Sequence, residues 1–164
     1  MNIDSEVVYI GLGANLGNPV EQLRSALTQL AIIPNTELDA CSHFYSSAPM
    51  GPSDQPNYTN AVCRLHTRLA PLALLDALQH IETEHGRIRT GEHWGARTLD
   101  LDILFYGNQS IQSERLIVPH YGIRGREFVL VPLFELSPTL VMPDNQPISH
   151  WVAECDLTEL RRLD

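Results

Sequence analysis

Residues 99–105 alternate so regularly that few local structures can hold them. Leu99, Leu101, Ile103 and Phe105 interleave with Asp100, Asp102 and Leu104, a period of two that a half-buried strand satisfies and a helix does not. On a strand, residues i and i+2 share one face, roughly 6.6–6.8 Å apart. The pattern sends the aliphatic row into a core and stands two carboxylates side by side on the opposite face. Like charges so placed favour each other's protonation, and a cation between them relieves the repulsion. Hard oxygen ligands of this kind suit Mg²⁺, which usually takes one or two carboxylates and completes its shell with phosphate oxygens and water. Taken alone, Asp-x-Asp also fits an exposed strand face carrying two solvated aspartates.

The residues just upstream favour the site over the solvated face. Arg87, Arg89 and Arg97 flank a loop bounded by Gly91 and Gly95 and carrying Trp94. Guanidinium forks match phosphate oxygens in sign and geometry. Paired carboxylates next to an arginine loop and a tryptophan form the pattern of a nucleotide phosphate site.

Charge supports this. The net charge is −9, which argues against a nucleic-acid or anionic-membrane surface. Yet residues 87–126 hold six arginines and four acids, while the remainder holds five arginines and sixteen acids. One locally basic stretch in an acidic chain suits a small, highly charged anion. All 11 basic residues are arginine, so the P-loop lysine, the Schiff-base lysine and lysine general bases are excluded. Phosphate chemistry here must run on arginine and metal.

At 164 residues the chain is one domain by length, 1–164. The acidic start lacks a signal-peptide n-region, and no apolar run nears the roughly 18–20 residues that span a bilayer. Cys41, Cys63 and Cys155 are odd in number and lack metal-ligand spacing. They read as reduced thiols and the location as cytoplasmic.

In chain order, Val7–Ile10 reads as a buried strand ending at Gly11. Gly11-x-Gly13 fails the dinucleotide fingerprint because Leu16 stands at the third glycine position, so 11–17 reads as a strand-to-helix turn. Asn18-Pro19 caps and opens a helix to about Ala31, with Leu23, Ala26, Leu27 and Leu30 as its apolar stripe. Residues 36–45 read as a second strand and 46–57, with three prolines and a glycine, as a long loop, of a kind that is usually functional or disordered. A strand follows from Tyr58, with Tyr58 and Asn60 on one face. That pair could stack on and hydrogen-bond a flat heterocycle, or be a surface cross-strand pair. Ala70-Pro71 opens a helix with Leu72, Leu75, Leu78, Ile81 and His85 on its buried face, and with Gln79 and Glu82 together near its end.

Residues 106–110 read as a hairpin turn and 114–118 as a strand. Phe128–Leu136 reads as a helix kinked by, or beginning at, Pro132. The tail holds a short strand at Leu140-Val141 and a helix from about Ser149. Among the histidines, His120, beside Tyr121, is the site candidate.

Arg97-Thr98-Leu99-Asp100-Leu101-Asp102, with Trp94-Gly95 before it and Val118-Pro119-His120-Tyr121 after it, resembles the 6-hydroxymethyl-7,8-dihydropterin pyrophosphokinases of the folate pathway. Gly11-x-Gly13-x-Asn15-Leu16-Gly17, Gly51-Pro52-x-Asp54-Gln55-Pro56-x-Tyr58 and Pro132-Leu133-x-Glu135 are similar to the family as well, in its order, over roughly residues 7–145. The resemblance implies a ferredoxin-like α/β (α+β) fold, a largely antiparallel sheet flanked by helices. It implies transfer of pyrophosphate from ATP to the pterin hydroxymethyl group with release of AMP. It implies that Asp100 and Asp102 hold two Mg²⁺ and that Arg87 and Arg97 are catalytic. Gln79, Glu82, Arg89, Trp94, Ile103, Arg115, His120, Tyr121 and Arg126 would line the ATP site.

The pterin would stack between Tyr58 and Phe128, near Ser47, Ala48, Met50, Asn60 and Asp100, with Trp94 closing over both substrates. The partners implied are ATP and the pterin, with no nucleic acid or membrane, and a monomer. The sequence departs from the family at Ile117, where a hydroxyl is common, at Thr90 and His93, where basic residues are, and at Ser47-Ala48 in place of Thr-Pro. An Asp-nucleophile phosphatase would need a hydroxyl at 104, which is Leu, and normally a lysine. A non-catalytic binding module would have no need of the acidic pair.

Overall fold

The computed structural model describes residues 5–47, 57–85 and 99–163. Its first strand, β1 (Glu6–Ala14), runs three residues past the expected end at Gly11. The reason is again a period of two. Val8, Ile10, Leu12 and Ala14 all enter one core, so the strand persists through glycines whose side of the sheet needs no side chain. The turn to α1 (Pro19–Leu30) begins only after Ala14, and the Asn18 side chain accepts from the Glu21 N–H at 3.3 Å as the cap requires.

The expected strand over 36–45 is two strands, β2 (Thr36–Cys41) and β3 (Phe44–Ser47), both paired with β4 (Tyr58–Thr67). The break falls at Ser42 and His43. There the Ser42 hydroxyl takes the Val62 N–H at 3.0 Å in place of the ladder. Because β3 reaches Ser47, the irregular stretch starts later than expected; residues 48–56 lie outside the described residues.

Helix α2 (Pro71–Glu84) buries Leu74, Leu75, Leu78, Ile81 and Glu82. Leu72 is exposed and His85 half-buried, so the buried face is turned toward Leu74 from the one expected. His85 instead bridges, with ring nitrogens 2.8 Å from the Ile81 carbonyl and 2.8 Å from Ser25 Oγ.

β5 (Asp100–Tyr106) closes the main sheet, whose order is β5-β1-β4-β3 and then the C-terminal β8 (Arg161–Leu163), with β2 also on β4. Every named pairing is antiparallel. The β-α-β-β-α-β path with β1 and β4 central is the ferredoxin-like arrangement. Helices α1 and α2 cover one face of this sheet, burying Leu23, Leu30, Leu74 and Leu78 against β1, β4 and β5.

The alternation in β5 holds only to Ile103. The register with β1 shifts between Tyr9 and Ile10: Tyr9 pairs with Phe105 and Ile10 with Ile103. Leu104 is the extra residue of a β-bulge. Past it the parity reverses, so Phe105 packs with Leu104 in the second core and Tyr106 joins the first. Phe105 therefore does not continue the aliphatic row of Leu99, Leu101 and Ile103.

The turn at 106–110 exists, with Gly107 at φ +54°, but it does not join paired strands. The strand expected over 114–118 reduces to β7 (Ile117–Val118), which pairs with β6 (Ile111–Gln112) in a separate two-stranded sheet. Helix α3 (Glu127–Leu136) starts well before Pro132 and runs through it. Leu140-Val141 is only an isolated bridge from Val141 to Pro147. The tail docks: Met142, Ile148 and Trp151, the last two on α4 (Ile148–Ala153), pack with α3 in the second core. Arg124 ties this tail down, reaching Glu154 at 2.7 Å and lying 4.9 Å above the Trp151 ring. A last strand, β8 (Arg161–Leu163), pairs with β3 and was not expected.

Candidate active site

The two faces of the sheet diverge at the C-terminal half of β1. Cross-strand partners point the same way. One row runs Asp100, Gly13, Asn60, Tyr45 and the next runs Asp102, Gly11, Val62. Gly11 and Gly13 thus stand between the aspartates and Asn60 and remove two side chains from the middle of the sheet. A Cβ at Gly13 would lie 3.0 Å from the Asn60 amide nitrogen and 3.9 Å from the Tyr58 ring. Leu104 fills the space over Gly11, 3.5 Å from where a Cβ would stand, so the trough lies over Gly13, between Asp100 on one side and Asn60 and Tyr58 on the other. Sequence reasoning assigned both glycines to a turn; the signal it missed was their alternation with Leu12 and Ala14.

Within the trough Asn60 is 7% exposed, and its Oδ1 accepts from Ser47 Oγ at 2.6 Å. That bond leaves the amide NH₂ as the group turned toward Gly13. Phe128 sits in the first turn of α3, half-buried, on the helix that covers β3 and β4.

On the far side of β5 a pocket of about 300 Å³ lies between that strand, α2 and the β6–β7 hairpin. Of the expected nucleotide residues, it brings together Gln79, Glu82, Ile103, Arg115, His120 and Tyr121, along with Asp102. Leu75, Leu101 and Leu116 give it an apolar wall, and Ile117, 49% exposed, stands at its rim. Glu114 lines it too and was not anticipated. Glu82, 3% exposed, accepts the Leu101 N–H at 2.8 Å and so fixes the strand between the two aspartates. Arg115 holds Asp76 at 2.6 Å and Gln79 at 3.3 Å across the pocket's edge.

His120 connects the pocket to the acidic pair. Its backbone N–H bonds the carbonyl of the bulge residue Leu104 at 3.0 Å. Its Nδ1 accepts from the Gly122 N–H at 2.9 Å, which assigns the proton of the neutral ring to Nε2, 3.9 Å from Asp102 Oδ2. Burial, and then the charge of Arg126, push its pKa below the ordinary value. At that distance and protonation the contact is a neutral ring facing a carboxylate, not an ion pair. The ring stacks on Tyr121 at 4.8 Å and 13°. Arg126 lies over Gly122, where a Cβ would come 2.7 Å from its guanidinium carbon.

Asp100 is half-buried and the Asp102 side chain 55% exposed. Among the described residues no group of three or more His, Cys, Asp or Glu side chains forms a protein cage for a metal. Two neighbouring carboxylates fit Mg²⁺ that arrives with phosphate oxygens and retains water. Arg87, Arg89, Trp94, Arg97, Ala48 and Met50, together with the Gly51–Pro56 motif, lie outside the described residues. Among the described residues, no helix is long and apolar enough to cross a membrane.

Residues 9–138 match the family model described as 7,8-dihydro-6-hydroxymethylpterin-pyrophosphokinase (HPPK). The chain is 56% identical over 146 residues to a 2-amino-4-hydroxy-6-hydroxymethyldihydropteridine pyrophosphokinase of Haemophilus influenzae, covering 89% of this chain and 91% of that one. It is 49% identical to the protein of the same name from Pseudomonas aeruginosa, over 95% of this chain and 96% of the relative. Among solved structures, wild-type Plasmodium falciparum HPPK-DHPS with pteroate superposes with a TM-score of 0.73 at 13% identity, over 92% of this chain. The chain spans 42% of that longer protein, and the likeness is one of fold.

Proposed function

The chain belongs to the 7,8-dihydro-6-hydroxymethylpterin-pyrophosphokinase family, and from that membership we propose how its residues carry the reaction. The activity is pyrophosphoryl transfer from ATP to 6-hydroxymethyl-7,8-dihydropterin in folate biosynthesis. Moving a pyrophosphoryl group with AMP as the leaving group requires the pterin hydroxyl to attack the β-phosphorus while the bond from that phosphorus to the AMP oxygen breaks.

We assign the nucleotide to the pocket between α2, β5 and the β6–β7 hairpin, and the pterin to the glycine trough. Asp100 and Asp102 stand between them and would hold two Mg²⁺. When bound, these ions would neutralise triphosphate charge and polarise its oxygens. Gln79 and Glu82 line the nucleotide side with Ile103, while Arg115, His120, Tyr121 and Arg126 surround the phosphates and ribose. The neutral His120 ring offers an N–H to a phosphate oxygen without adding a charge beside Asp102. Tyr58 and Phe128 sandwich the pterin, and the Asn60 amide, fixed by Ser47, reads its edge; Ala48 and Met50 complete that wall.

Arg87 and Arg97 compensate the charge that builds on the leaving AMP, and Arg89 and Trp94 close over the substrates. Phosphoryl-type transfer is mostly positioning and charge stabilisation, so a lysine-free chain without a covalent nucleophile is equipped for it. The chain acts as one domain, a monomer in the cytoplasm, with no nucleic-acid or membrane partner.

What supports this placement above all is the acidic pair set between two recesses of different character, one over Gly13 and one walled by α2. The test is AMP formation from ATP in Mg²⁺. AMP that appears only with the hydroxymethyl-dihydropterin supports the reading; equal AMP release without it, or none with it, rejects it.

A further inference from the structure

The Pro132-Leu133-x-Glu135 motif has no part in either recess, yet Glu135 makes three polar contacts from α3 to the sheet. Its Oε1 accepts from the Tyr45 hydroxyl at 2.6 Å. Its Oε2 accepts from the His43 backbone N–H at 2.9 Å and faces His43 Nδ1 at 2.8 Å. The His43 N–H belongs to the break between β2 and β3. The carboxylate thus supplies a partner for a backbone donor at the break and grips the start of β3 at the same time. Burial works against ionisation, but the hydrogen bonds from Tyr45 and His43 outweigh it and hold the carboxyl below its ordinary value.

We propose that Glu135 is a positioning residue for the pterin half of the site, setting the separation between Phe128 on α3 and the Tyr58–Asn60 wall on β4. Tyr45 is the direct cross-strand partner of Asn60, and Ser47, two residues further along β3, both pairs with Tyr58 and holds the Asn60 amide. Moving β3 therefore moves both readers of the pterin edge. Phe128 lies seven residues before Glu135, two helical turns away on the same face and about 10 Å along the axis. A helix pinned at its far end to β3 is held at a fixed stand-off over the trough. The nucleotide pocket, on the other side of β5, receives nothing from this contact. The inference rests on the pterin assignment above.

The test uses the full chain, steady-state AMP release and melting curves for Glu135→Gln and Tyr45→Phe. Leu27→Ala, on α1 and packed against the opposite core, serves as a control for general destabilisation. A glutamine cannot accept from both sides, so E135Q raises the pterin KM about tenfold, the scale of one lost charge-assisted hydrogen bond. The ATP KM and kcat stay within about twofold. Y45F, which keeps the His43 bonds, shifts the pterin KM in the same direction by about threefold.

An unchanged pterin KM in folded E135Q or Y45F overturns the proposal. So does a matching KM rise in L27A at equal loss of melting temperature. If E135Q does not fold, Y45F alone decides. A Tyr58→Ala variant separates the two possible failures. If it too leaves the pterin KM unchanged, the pterin assignment falls and this proposal with it; if it raises the KM while E135Q does not, only this proposal falls.

Discussion

One strand, β1, shows both of the molecule's demands. On one face Val8, Ile10, Leu12 and Ala14 are at most 2% exposed and fill a continuous core under α1 and α2. On the other face the same strand reads Tyr9, Gly11, Gly13. Tyr9 packs under α3 and α4, Gly11 makes room for the Leu104 side chain, and Gly13 leaves the trough. The first face is specified by volume: removing a methylene there leaves a void. The second is specified by its lack of side chains, where adding atoms does the damage. The difference shows why glycines that weaken a strand in isolation can sit at the centre of this sheet: the fold's stability is carried by the opposite row.

Four measurements would break or sharpen that contrast. The largest effect is expected at Asp102, on the open face of β5. Asp102→Ala lowers kcat about a thousandfold, roughly 4 kcal/mol of transition-state stabilisation, and leaves the melting curve nearly unchanged. A near-normal rate at saturating Mg²⁺ would remove the acidic pair from the chemistry.

On the filled face, Ile10→Ala destabilises the fold by about 2–5 kcal/mol, while enzyme that remains folded keeps its KM values. Denaturant titration alongside kinetics tests both halves of that statement. Third, Gly13→Ala raises the pterin KM several-fold at nearly constant stability, because its methyl group meets the Asn60 amide; an unaltered pterin KM would show that the trough is not used.

The smallest effect is a pH dependence. The Glu135 carboxyl is held below its ordinary value of 4.5, so its contribution is complete above that pH. The contribution is lost as pH falls from 4.5 through the lower folded-state value. Wild type loses more stability over that acid range than E135Q does, and parallel curves for the two would contradict the shift.

Much of this architecture could be read from residue order. Helices α1 and α2 announce themselves through Asn18-Pro19 and Pro71 and through their apolar stripes, and the acidic strand through its alternation. What escaped depends on tertiary partners. The bulge at Leu104 leaves no mark in an apolar run, since Ile103, Leu104 and Phe105 suit either face. The division of β2 from β3 depends on the Ser42 hydroxyl replacing a ladder bond with Val62. β8 is three residues of Arg161–Leu163, too short to carry a pattern, and exists because β3 offers it an edge.

In the candidate site, alternation placed the acidic pair, and among the histidines His120, beside Tyr121, stood out. The glycines were visible but read as a turn, because their meaning lies in what stands across from them on β4 and β5. Glu135 was visible only as part of a motif, and its partners are about ninety residues away.

The bulge at Leu104 divides β5 into two reading frames. Ahead of it, odd positions fill the α1–α2 core and even positions carry the acids. Beyond it, the sides are exchanged, and the displaced carbonyl is taken by the His120 N–H. A one-residue deletion there would not simply shorten the strand. It would leave Phe105 and Tyr106 on their present faces, because Tyr9–Phe105 and Ile10–Ile103 would become consecutive pairs, but it would take Leu104 out of the second core and unfasten the segment that brings His120 to the acids. Inserted length, in this strand, works as a joint between the layer that binds and the layer that packs.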